Sequence, residues 1–313
     1  MSNRYDITSE ERQGVQVYTL SEAGAARAEV APSLGNNCFS FRTSVDVLEP
    51  VTFSDFIMKP TAYGIPILFP YPNRVRDGRF IFRGKTYAVD PPRHGYVRDK
   101  PWLVAGSGAS DGEGAWISSA FDADSYPEIS RQYPSSFRLE VTYRLRDARL
   151  ELEASARNTG GEELPLGFGI HPYFRKPAKG TVTVPAARRW ELSESLPTGV
   201  LLPVEDDYDL REGRSLEGLA LDDIFTGVES ADGNAACLLR DLESDTETVV
   251  EFPVAQFPHV VVYTPPAPRR AICVEPNTCP TNALNLMQRG VESNVIVLGA
   301  GESASFTLSI YTR

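Results

Sequence analysis

Two of the three histidines in this 313-residue chain stand in short segments rich in aromatic, glycine and proline residues. His94 lies in RHGY at residues 93–96, and His171 lies in GIHPYF at residues 169–174. Glu275 follows a largely apolar run and precedes a proline and an asparagine. Histidine titrates nearest to neutral pH and a carboxylate can act as its complementary base, so these residues could together donate and accept protons.

The surroundings of these residues indicate where each one stands. His94 follows the strand-like run Phe80–Val89 and is expected in a loop, where functional residues are often carried on a rigid scaffold. Glycines beside His171 permit close backbone approach, and its aromatic neighbours lower the local dielectric. Glu275 is expected at or near a strand end facing a cavity, where desolvation raises a carboxyl pKa. Taken alone, each of these residues could have a structural or surface role. The same holds for Arg74, which has aromatic and proline neighbours.

Alternating apolar and polar residues indicate that the chain is built from β-strands. Phe137–Leu145 and Leu150–Ala156 alternate with period two around a polar turn, which predicts a hairpin with one solvated face. Similar runs occur at Val15–Leu20, Phe39–Val47, Phe80–Val89, Thr181–Val184, Ala236–Leu239, Thr248–Phe252, Val260–Thr264 and Ser303–Tyr311. No long segment has helical periodicity, so we expect an all-β fold, a large antiparallel sandwich or barrel. Ala105–Asp124 and Glu205–Asp209 are interpreted as surface loops.

Composition and charge limit the classes of protein to consider. Hydrophobic residues make up 42% and charged residues 23%, which is typical of a globular protein that folds on its own. The net charge of -11 repels polyanions, so nucleic acid is not an expected partner. No apolar run approaches the length of a membrane span, and the start of the chain has no apolar leader. We therefore expect a cytoplasmic monomer or homodimer.

No repeat or linker-like change in composition divides the chain. Residues 1–313 are therefore predicted to form a single domain, with residues 1–25 as an N-terminal extension or an edge strand. His259 has no polar neighbours and is assigned a structural role. Four cysteines without a CxxC spacing are interpreted as reduced, mostly buried thiols: Cys38, Cys237, Cys273 and Cys279.

Six groups of short motifs occur along the chain: GIPILFP at 64–70 with NRV at 73–75, GKTY at 84–87, HG at 94–95 with Trp102, GIHPYF at 169–174, LDDIF at 221–225 and EPNT at 275–278. They stand in the order found in the aldose 1-epimerase (galactose mutarotase) family, which the chain resembles over roughly residues 25 to 313. Two segments depart from the common pattern, since Gly95 is followed by Tyr96 rather than glycine and Asp222 by Asp223 rather than histidine. These departures place the chain in a divergent branch.

The resemblance implies a β-supersandwich fold and interconversion of the α and β anomers of a free aldose. Glu275 would be the general base that removes the C1 hydroxyl proton, and His171 the general acid that protonates the ring oxygen O5. The open-chain aldehyde then rotates about C1–C2 and recloses on its other face. The two proton transfers require no metal and no redox cofactor.

The resemblance also implies residues that hold the small-molecule sugar substrate. His94 and Arg74 match positions that bind sugar oxygens and steady charge at C1 and O5. Asp222 matches an aspartate that holds sugar hydroxyls, and Asn73 is the neighbour of Arg74 in its motif.

Three alternatives remain open. A hexose-6-phosphate 1-epimerase on the same fold would need cations near C6 of the sugar. The candidates for those cations are Arg79, Arg93, Arg98 and Lys100. A non-catalytic carbohydrate-binding protein would most simply have lost the acid or the base, and both are present. His94, His171 and Glu275 are also ligand types that suit zinc, but the motif match explains the trio without metal.

Overall fold

The computed structural model describes residues 3–313, and β-strands dominate it. In chain order the strands are β1 (Tyr5–Arg12), β2 (Val15–Glu22), β3 (Ala26–Ala31), β4 (Asn37–Arg42), β5 (Ile67–Leu68), β6 (Arg79–Phe82), β7 (Lys85–Ala88), β8 (Leu103–Ser110), β9 (Gly114–Asp122), β10 (Phe137–Arg146), β11 (Arg149–Asn158), β12 (Leu164–Leu166), β13 (Gly169–Ile170), β14 (Tyr173–Arg175), β15 (Gly180–Thr183), β16 (Ala186–Ser193), β17 (Leu196–Pro203), β18 (Arg214–Ser215), β19 (Asp222–Val228), β20 (Asn234–Asp241), β21 (Thr246–Pro253), β22 (His259–Tyr263), β23 (Ala271–Asn277), β24 (Ile296–Leu298) and β25 (Ser303–Thr312).

The helices are short. Three α-helices have six residues each: α1 (Phe53–Met58), α2 (Pro127–Gln132) and α3 (Ala283–Gln288). Single 3-10 turns lie at Pro60–Ala62, Arg76–Gly78, Ala123–Ser125 and Asp206–Tyr208. Within residues 3–313, none of the helices has the length and apolar character needed to cross a membrane.

Two large antiparallel sheets build most of the structure. One has nine strands in the order β18-β15-β20-β21-β25-β11-β10-β9-β8. The other has eight, in the order β17-β16-β19-β22-β23-β13-β5 with β14 also paired to β23. A four-stranded sheet, β1-β2-β3-β4, and the pairs β6-β7 and β12-β24 complete the architecture. The largest core cluster contains residues from Tyr5 to Ile310, including Val141 of the first large sheet and Val262 of the second. The predicted all-β class is confirmed.

The hairpin expected between residues 137 and 156 is present as β10 and β11. Arg146 pairs with Arg149 across a two-residue loop in which Asp147 and Ala148 have φ values of 52° and 57°. Positive φ at both loop positions matches the right-handed twist of the flanking strands. Burial alternates along β10, with its apolar residues buried and its polar residues partly or fully exposed. One face of the hairpin therefore packs on the core, as predicted.

Two predictions about local structure are wrong. Ala105–Asp124 is not a surface loop but most of the hairpin β8–β9, which stands at the edge of the nine-stranded sheet. Its many glycine, serine and alanine residues hide the apolar alternation. Phe80–Val89 is not one strand, because the chain reverses between β6 and β7 at Arg83 and Gly84, both with positive φ. The strand-like run Phe39–Val47 is a strand only as far as Arg42, where β4 ends.

His259 and the cysteines are buried. His259 Nδ1 accepts a 3.5 Å hydrogen bond from Trp190 Nε1, and its Nε2 lies 3.0 Å from Asn294 Oδ1. These contacts agree with the structural role predicted for it. All four cysteines are free and buried, as the absence of paired spacing suggests.

Candidate active site

A polar cavity of about 210 Å³ lies at one face of the eight-stranded sheet. All six residues predicted to act on or bind a substrate line it: Asn73, Arg74, His94, His171, Asp222 and Glu275. Two surface grooves are larger, at about 320 and 410 Å³. The second shares Arg74 and Arg93 with the cavity, and neither groove has a histidine in its wall. The chemistry of the cavity, rather than its size, makes it the candidate site.

Strand pairing sets His171 opposite Glu275. β13 pairs with β23 through Gly169 and Asn277, and β14 continues the same register farther along β23. This register places residue 171 opposite residue 275, and His171 Nε2 lies 3.2 Å from Glu275 Oε1. A side chain at residue 169 would meet the Asn277 amide oxygen 1.7 Å from its Cβ. Glycine is what permits this close pairing.

The His171 imidazole is buried against aromatic rings. It stacks on Tyr173 with ring centroids 4.7 Å apart and lies edge-on to Tyr263 at 6.1 Å. Burial, and secondarily the positive charge of Arg98, lower the pKa of His171 to about 3. Its Nδ1 is buried without a hydrogen-bond partner among residues 3–313. The polar contact of the ring is therefore made through Nε2, toward Glu275.

The Glu275 carboxyl is enclosed in the same cavity, with 1% of the residue exposed. Burial raises the pKa of Glu275 well above its usual range. The negative charge of Asp222 raises this pKa further, and the positive charge of Arg74 opposes the rise. A desolvated carboxyl close to a strand end was the expectation from sequence, and it is confirmed, since β23 ends two residues later.

Because burial lowers the pKa of His171 and raises that of Glu275, we expect the pair to hold one proton between these two pKa values. Burial disfavours both the imidazolium and the carboxylate, whereas attraction across 3.2 Å favours the two charges together. The neutral and the doubly charged forms of the pair differ only in whether Glu275 or His171 holds that proton. The pair can therefore offer a basic oxygen and an acidic nitrogen side by side. Such a pair suits a reaction that removes a proton from one substrate atom and adds one to another.

Backbone contacts hold His94 in a defined orientation. Its φ is 66°, its N–H donates to the Asn73 carbonyl at 2.7 Å, and the Asn73 N–H donates to its Nδ1 at 3.2 Å. Because Nδ1 accepts, the neutral ring carries its proton on Nε2. Burial, followed by the charge of His171, lowers the pKa of His94 well below the usual range. With the two imidazole centroids 5.4 Å apart, His94 offers a neutral donor near His171.

Arg74 and Asp222 form a polar part of the wall. Arg74 Nη2 lies 3.6 Å from Asp222 Oδ2, and Arg74 Nη1 donates to Asn73 Oδ1 at 3.1 Å. Asp222 lines the cavity, whereas Asp223, the next residue of β19, does not. Successive side chains of a strand point to opposite faces, which explains the difference. Of the two aspartates, Asp222 is the one placed to meet a ligand.

The cavity wall contains four more residues, to which the motifs assign no role: Arg93, Arg98, Tyr173 and Tyr263. Strand alternation could have identified Tyr173, which stands two positions after His171 and so shares its face. Tyr263 could not be found in this way, because its position depends on the pairing of β22 with β23. The residue type at position 263 does not indicate how β22 is aligned with β23.

The four candidate cations for a phosphate separate into two groups. Arg93 and Arg98 line the cavity, and Arg79 and Lys100 do not. Lys100 Nζ instead lies 3.5 Å from a carboxylate oxygen of Glu128. Only two of the four could therefore act on a ligand in this cavity.

One group of side chains could hold a metal ion. Ligand atoms of His171, Cys273 and Glu275 lie within 4.8 Å of one another, so the structure places Cys273 where the sequence suggested His94. Zinc would require the Cys273 thiolate, and burial raises the pKa of this thiol well above its usual value. The acid–base chemistry of the His171–Glu275 pair does not depend on an ion.

Comparison with known proteins identifies a family and two relatives. A family model described as aldose 1-epimerase matches residues 16–311. The uncharacterized protein YphB of Escherichia coli is 26% identical over 200 residues, which cover 62% of this chain and 64% of YphB. This match thus spans less than two thirds of that relative. The uncharacterized protein YihR of Escherichia coli is 23% identical over 265 residues, or 80% of each chain.

The fold is shared with solved structures. A galactose mutarotase-like protein from Clostridium acetobutylicum has a TM-score of 0.88 at 24% identity, over 99% of each chain. Galactose 1-epimerase from Lactobacillus acidophilus has a TM-score of 0.79 at 16% identity, over 100% of this chain and 99% of its own. The predicted β-supersandwich of the galactose mutarotase-like type is confirmed. At these identities the likeness establishes the fold and leaves the substrate to be inferred from the site.

Proposed function

This chain belongs to the aldose 1-epimerase family, and from that premise we propose that it interconverts the α and β anomers of an aldose. The observation that carries the proposal is the His171–Glu275 pair, whose Nε2 and Oε1 atoms lie 3.2 Å apart in a polar cavity. Opening a hemiacetal ring requires an acid and a base at neighbouring oxygens of one sugar. The pair supplies both.

In the proposed reaction the proton of the C1 hydroxyl passes to the Glu275 carboxylate as the C1–O5 bond breaks. O5 receives the proton of the His171 imidazolium and becomes the C5 hydroxyl. The aldehyde rotates about C1–C2, and O5 attacks its other face. His171 then takes back the O5 proton, and Glu275 returns a proton to the new C1 hydroxyl, so the enzyme ends as it began.

The remaining cavity residues support binding in this proposal. His94 donates from Nε2 to a sugar oxygen and steadies the charge that develops near O5, because its Nδ1 is occupied by a backbone N–H. Arg74 and Asp222 bind sugar hydroxyls as donor and acceptor, and Asn73 orients the Arg74 guanidinium through their 3.1 Å hydrogen bond. Preorganised contacts of this kind reduce the entropic cost of positioning the sugar next to His171 and Glu275.

The test is to add crystalline α-anomers of a panel of aldoses and to follow optical rotation or the anomeric proton signals. We expect equilibration faster than in buffer. Glu275→Gln should remove the acceleration, and His171→Asn should reduce kcat by about 10²- to 10⁴-fold, since each deletes one proton-transfer group. Glu113→Gln, at an exposed glutamate outside the cavity, is the matched control and should retain full activity.

A carbohydrate-binding protein without turnover is the competing explanation. It predicts that aldoses bind, as measured by calorimetry, while their anomers equilibrate at the buffer rate. That result with the wild-type protein would refute the proposed activity. Unchanged activity after dialysis against a chelator, with metal analysis of the purified protein, would separate acid–base catalysis from a reaction that uses the His171–Cys273–Glu275 group.

A further inference from the structure

The orientation of the His171 imidazole depends on what touches the faces of the ring. Its Nε2 faces Glu275 Oε1 at 3.2 Å, whereas its Nδ1 is buried without a hydrogen-bond partner in the part of the chain that the structure describes. A functional histidine is usually oriented by a hydrogen bond at its second ring nitrogen. His94 is held in this way, because the Asn73 N–H donates to its Nδ1 at 3.2 Å. For His171, packing must set the plane of the ring instead.

Tyr173 covers one face of the His171 imidazole. The two ring centroids are 4.7 Å apart and the ring planes are inclined by 19°, so the rings are stacked. Tyr263 and His94 add only edge contacts, with centroids 6.1 and 5.4 Å from that of His171. If the Tyr173 ring withdrew, the imidazole could rotate about its bond to Cβ, and Nε2 would move away from Glu275. The position of His171 Nε2 therefore depends on the position of the Tyr173 ring.

Arg269, in the loop between β22 and β23, supports the Tyr173 ring. The central carbon of its guanidinium lies over that ring, 4.7 Å from the centroid. Along β14 and β23 the paired positions run from 173 with 273 to 175 with 271. Residue 269 lies two positions beyond 271, so Arg269 approaches Tyr173 from the end opposite to His171. Tyr173 therefore stands between the imidazole and the guanidinium.

Two neighbouring segments fix the Arg269 guanidinium. Its Nε donates to Glu49 Oε1 at 3.3 Å and its Nη2 to Glu49 Oε2, and the Tyr63 ring centroid lies 4.6 Å from its central carbon. The Glu49 N–H in turn donates to the Tyr173 carbonyl at 2.8 Å. The Tyr173 N–H donates at 2.8 Å to the carbonyl of Gly64, which follows Tyr63. The contacts thus return to Tyr173, through its backbone and through its ring.

Arg269 lies outside the cavity, which Tyr173 lines. Its charge is balanced by Glu49, and the two side chains keep 24% and 11% of their surface exposed. A charge-assisted pair and a cation–π contact are each stronger when partly withdrawn from water. Removing the guanidinium should therefore loosen the Tyr173 ring without removing a group that touches a substrate.

We propose that Arg269 is a positioning residue, which holds the Tyr173 ring against the His171 imidazole and so directs Nε2 toward the reacting atoms. Glu49 anchors it for this purpose. The effect on catalysis rests on the proposed function, in which His171 protonates O5. A displacement of about 1 Å between reacting groups can reduce a rate about 10²-fold. Loss of Arg269 should therefore slow proton transfer and leave sugar binding largely intact.

Arg269→Met removes the guanidinium and keeps a long side chain. With the aldose that reacts fastest in the panel, we expect kcat to fall by about ten- to hundredfold and KM to change little, because Arg269 does not touch the sugar. Arg269→Lys should recover part of the loss, since an ammonium keeps a positive charge over the ring. Arg149→Met is the matched control. Arg149 also forms an ion pair, 2.8 Å from Glu251, and lies 3.5 Å from the Tyr311 ring centroid, but it is outside the cavity, so kcat should not change.

A double variant keeps the test independent of folding. Arg269→Met alone leaves the largely buried Glu49 carboxylate without its partner, whereas Glu49→Gln with Arg269→Met removes both charges together. Because both side chains act through one contact, the double variant should lose no more activity than Arg269→Met. Additive losses would show that Glu49 acts separately, contrary to the inference.

Proton NMR of the imidazole rings tests the contact whether or not anomers interconvert. The chain has three histidines, so these signals are few, and His171→Asn identifies those of His171. Stacking on Tyr173 should shift the His171 ring protons upfield. Arg269→Met should reduce this shift, and Arg149→Met should not.

A folded Arg269→Met variant with unchanged His171 signals, or with unchanged kcat in an active enzyme, would overturn the inference. Altered His171 signals in a protein that interconverts no anomers would support the positioning contact and refute the proposed activity instead.

Discussion

Glu275 and His171 owe their reactivity to one physical cause acting on groups of opposite charge. Burial raises the pKa of the carboxyl and lowers that of the imidazole, because a desolvated site disfavours whichever form is charged. The two shifts widen the pH range in which the pair holds a single proton. A pair that gained a second proton would lose its base, and a pair that lost its proton would lose its acid.

The pH dependence of activity should report this range. The second proton binds only below the lowered pKa of His171, about 3, so kcat/KM should not fall as the pH is decreased through 6.5. On the alkaline side, activity should decline as the pH rises through the pKa of Glu275, which lies above the usual pKa range of a glutamate. Initial rates at constant ionic strength, corrected for the buffer reaction, measure both limbs. An acid limb centred near 6.5 would show that His171 titrates as an exposed histidine.

At the scale of elements, one strand pairing and one loop position the two histidines of the site. The pairing of β23 with β13 and β14 brings His171 to Glu275. The loop that carries His94 is fastened by a parallel bridge between Phe69 and Gly95, and the Tyr96 N–H donates to the Phe69 carbonyl at 2.8 Å. The two histidines thus depend on different backbone contacts, which can be disturbed separately.

Gly95→Ala should disturb the His94 loop. The glycine has a φ of 71°, and a Cβ there would lie 1.8 Å from the Phe69 carbonyl oxygen, which is backbone and cannot rotate away. We expect a loss of about 3 kcal/mol or more in the free energy of unfolding. Urea denaturation measures it. Gly112→Ala, where no atom lies within 4 Å of the added Cβ, is the control and should change stability by less than about 0.5 kcal/mol.

The elements differ in how clearly sequence marks them. β10 and β11 are evident because large apolar and charged residues alternate there, and side-chain size reports which face is buried. β8 and β9 are not evident from the sequence, because Gly106 and Gly108 of β8 leave a space that the Trp116 ring of β9 fills. Packing by a cross-strand partner replaces the local pattern there, and a single segment does not reveal its partner.

For the molecule as a whole, stability should decrease as the pH falls from 6 to 5. His94, His171 and His259 are buried with lowered pKa values, so the unfolded chain binds protons on them below 6.5 and the folded protein does not. Glu275 acts in the opposite sense, because its raised pKa lets the folded protein hold a proton that the unfolded chain releases. The balance is an uptake of about two protons on unfolding, or about 2.5 kcal/mol per pH unit.

Urea unfolding at pH 7, 6 and 5 measures this slope. A stability that stays constant or increases on acidification would mean that these histidines are protonated in the folded protein. The same curves test the proposal that the chain is a single domain, which requires one cooperative transition by both fluorescence and circular dichroism. Two separate transitions would indicate that the chain forms two domains.

Residue types and local periodicity already indicate an all-β chain and a hairpin around residues 147 and 148, and the family resemblance of six short motifs implies a set of acid, base and binding candidates. These features are readable because each depends on neighbours within a few positions. Two further facts required the folded molecule: the 3.2 Å approach of His171 to Glu275 and the place of Tyr263 in the cavity wall. Each depends on strand register and burial, which arise when segments distant in the chain pack together and exclude water.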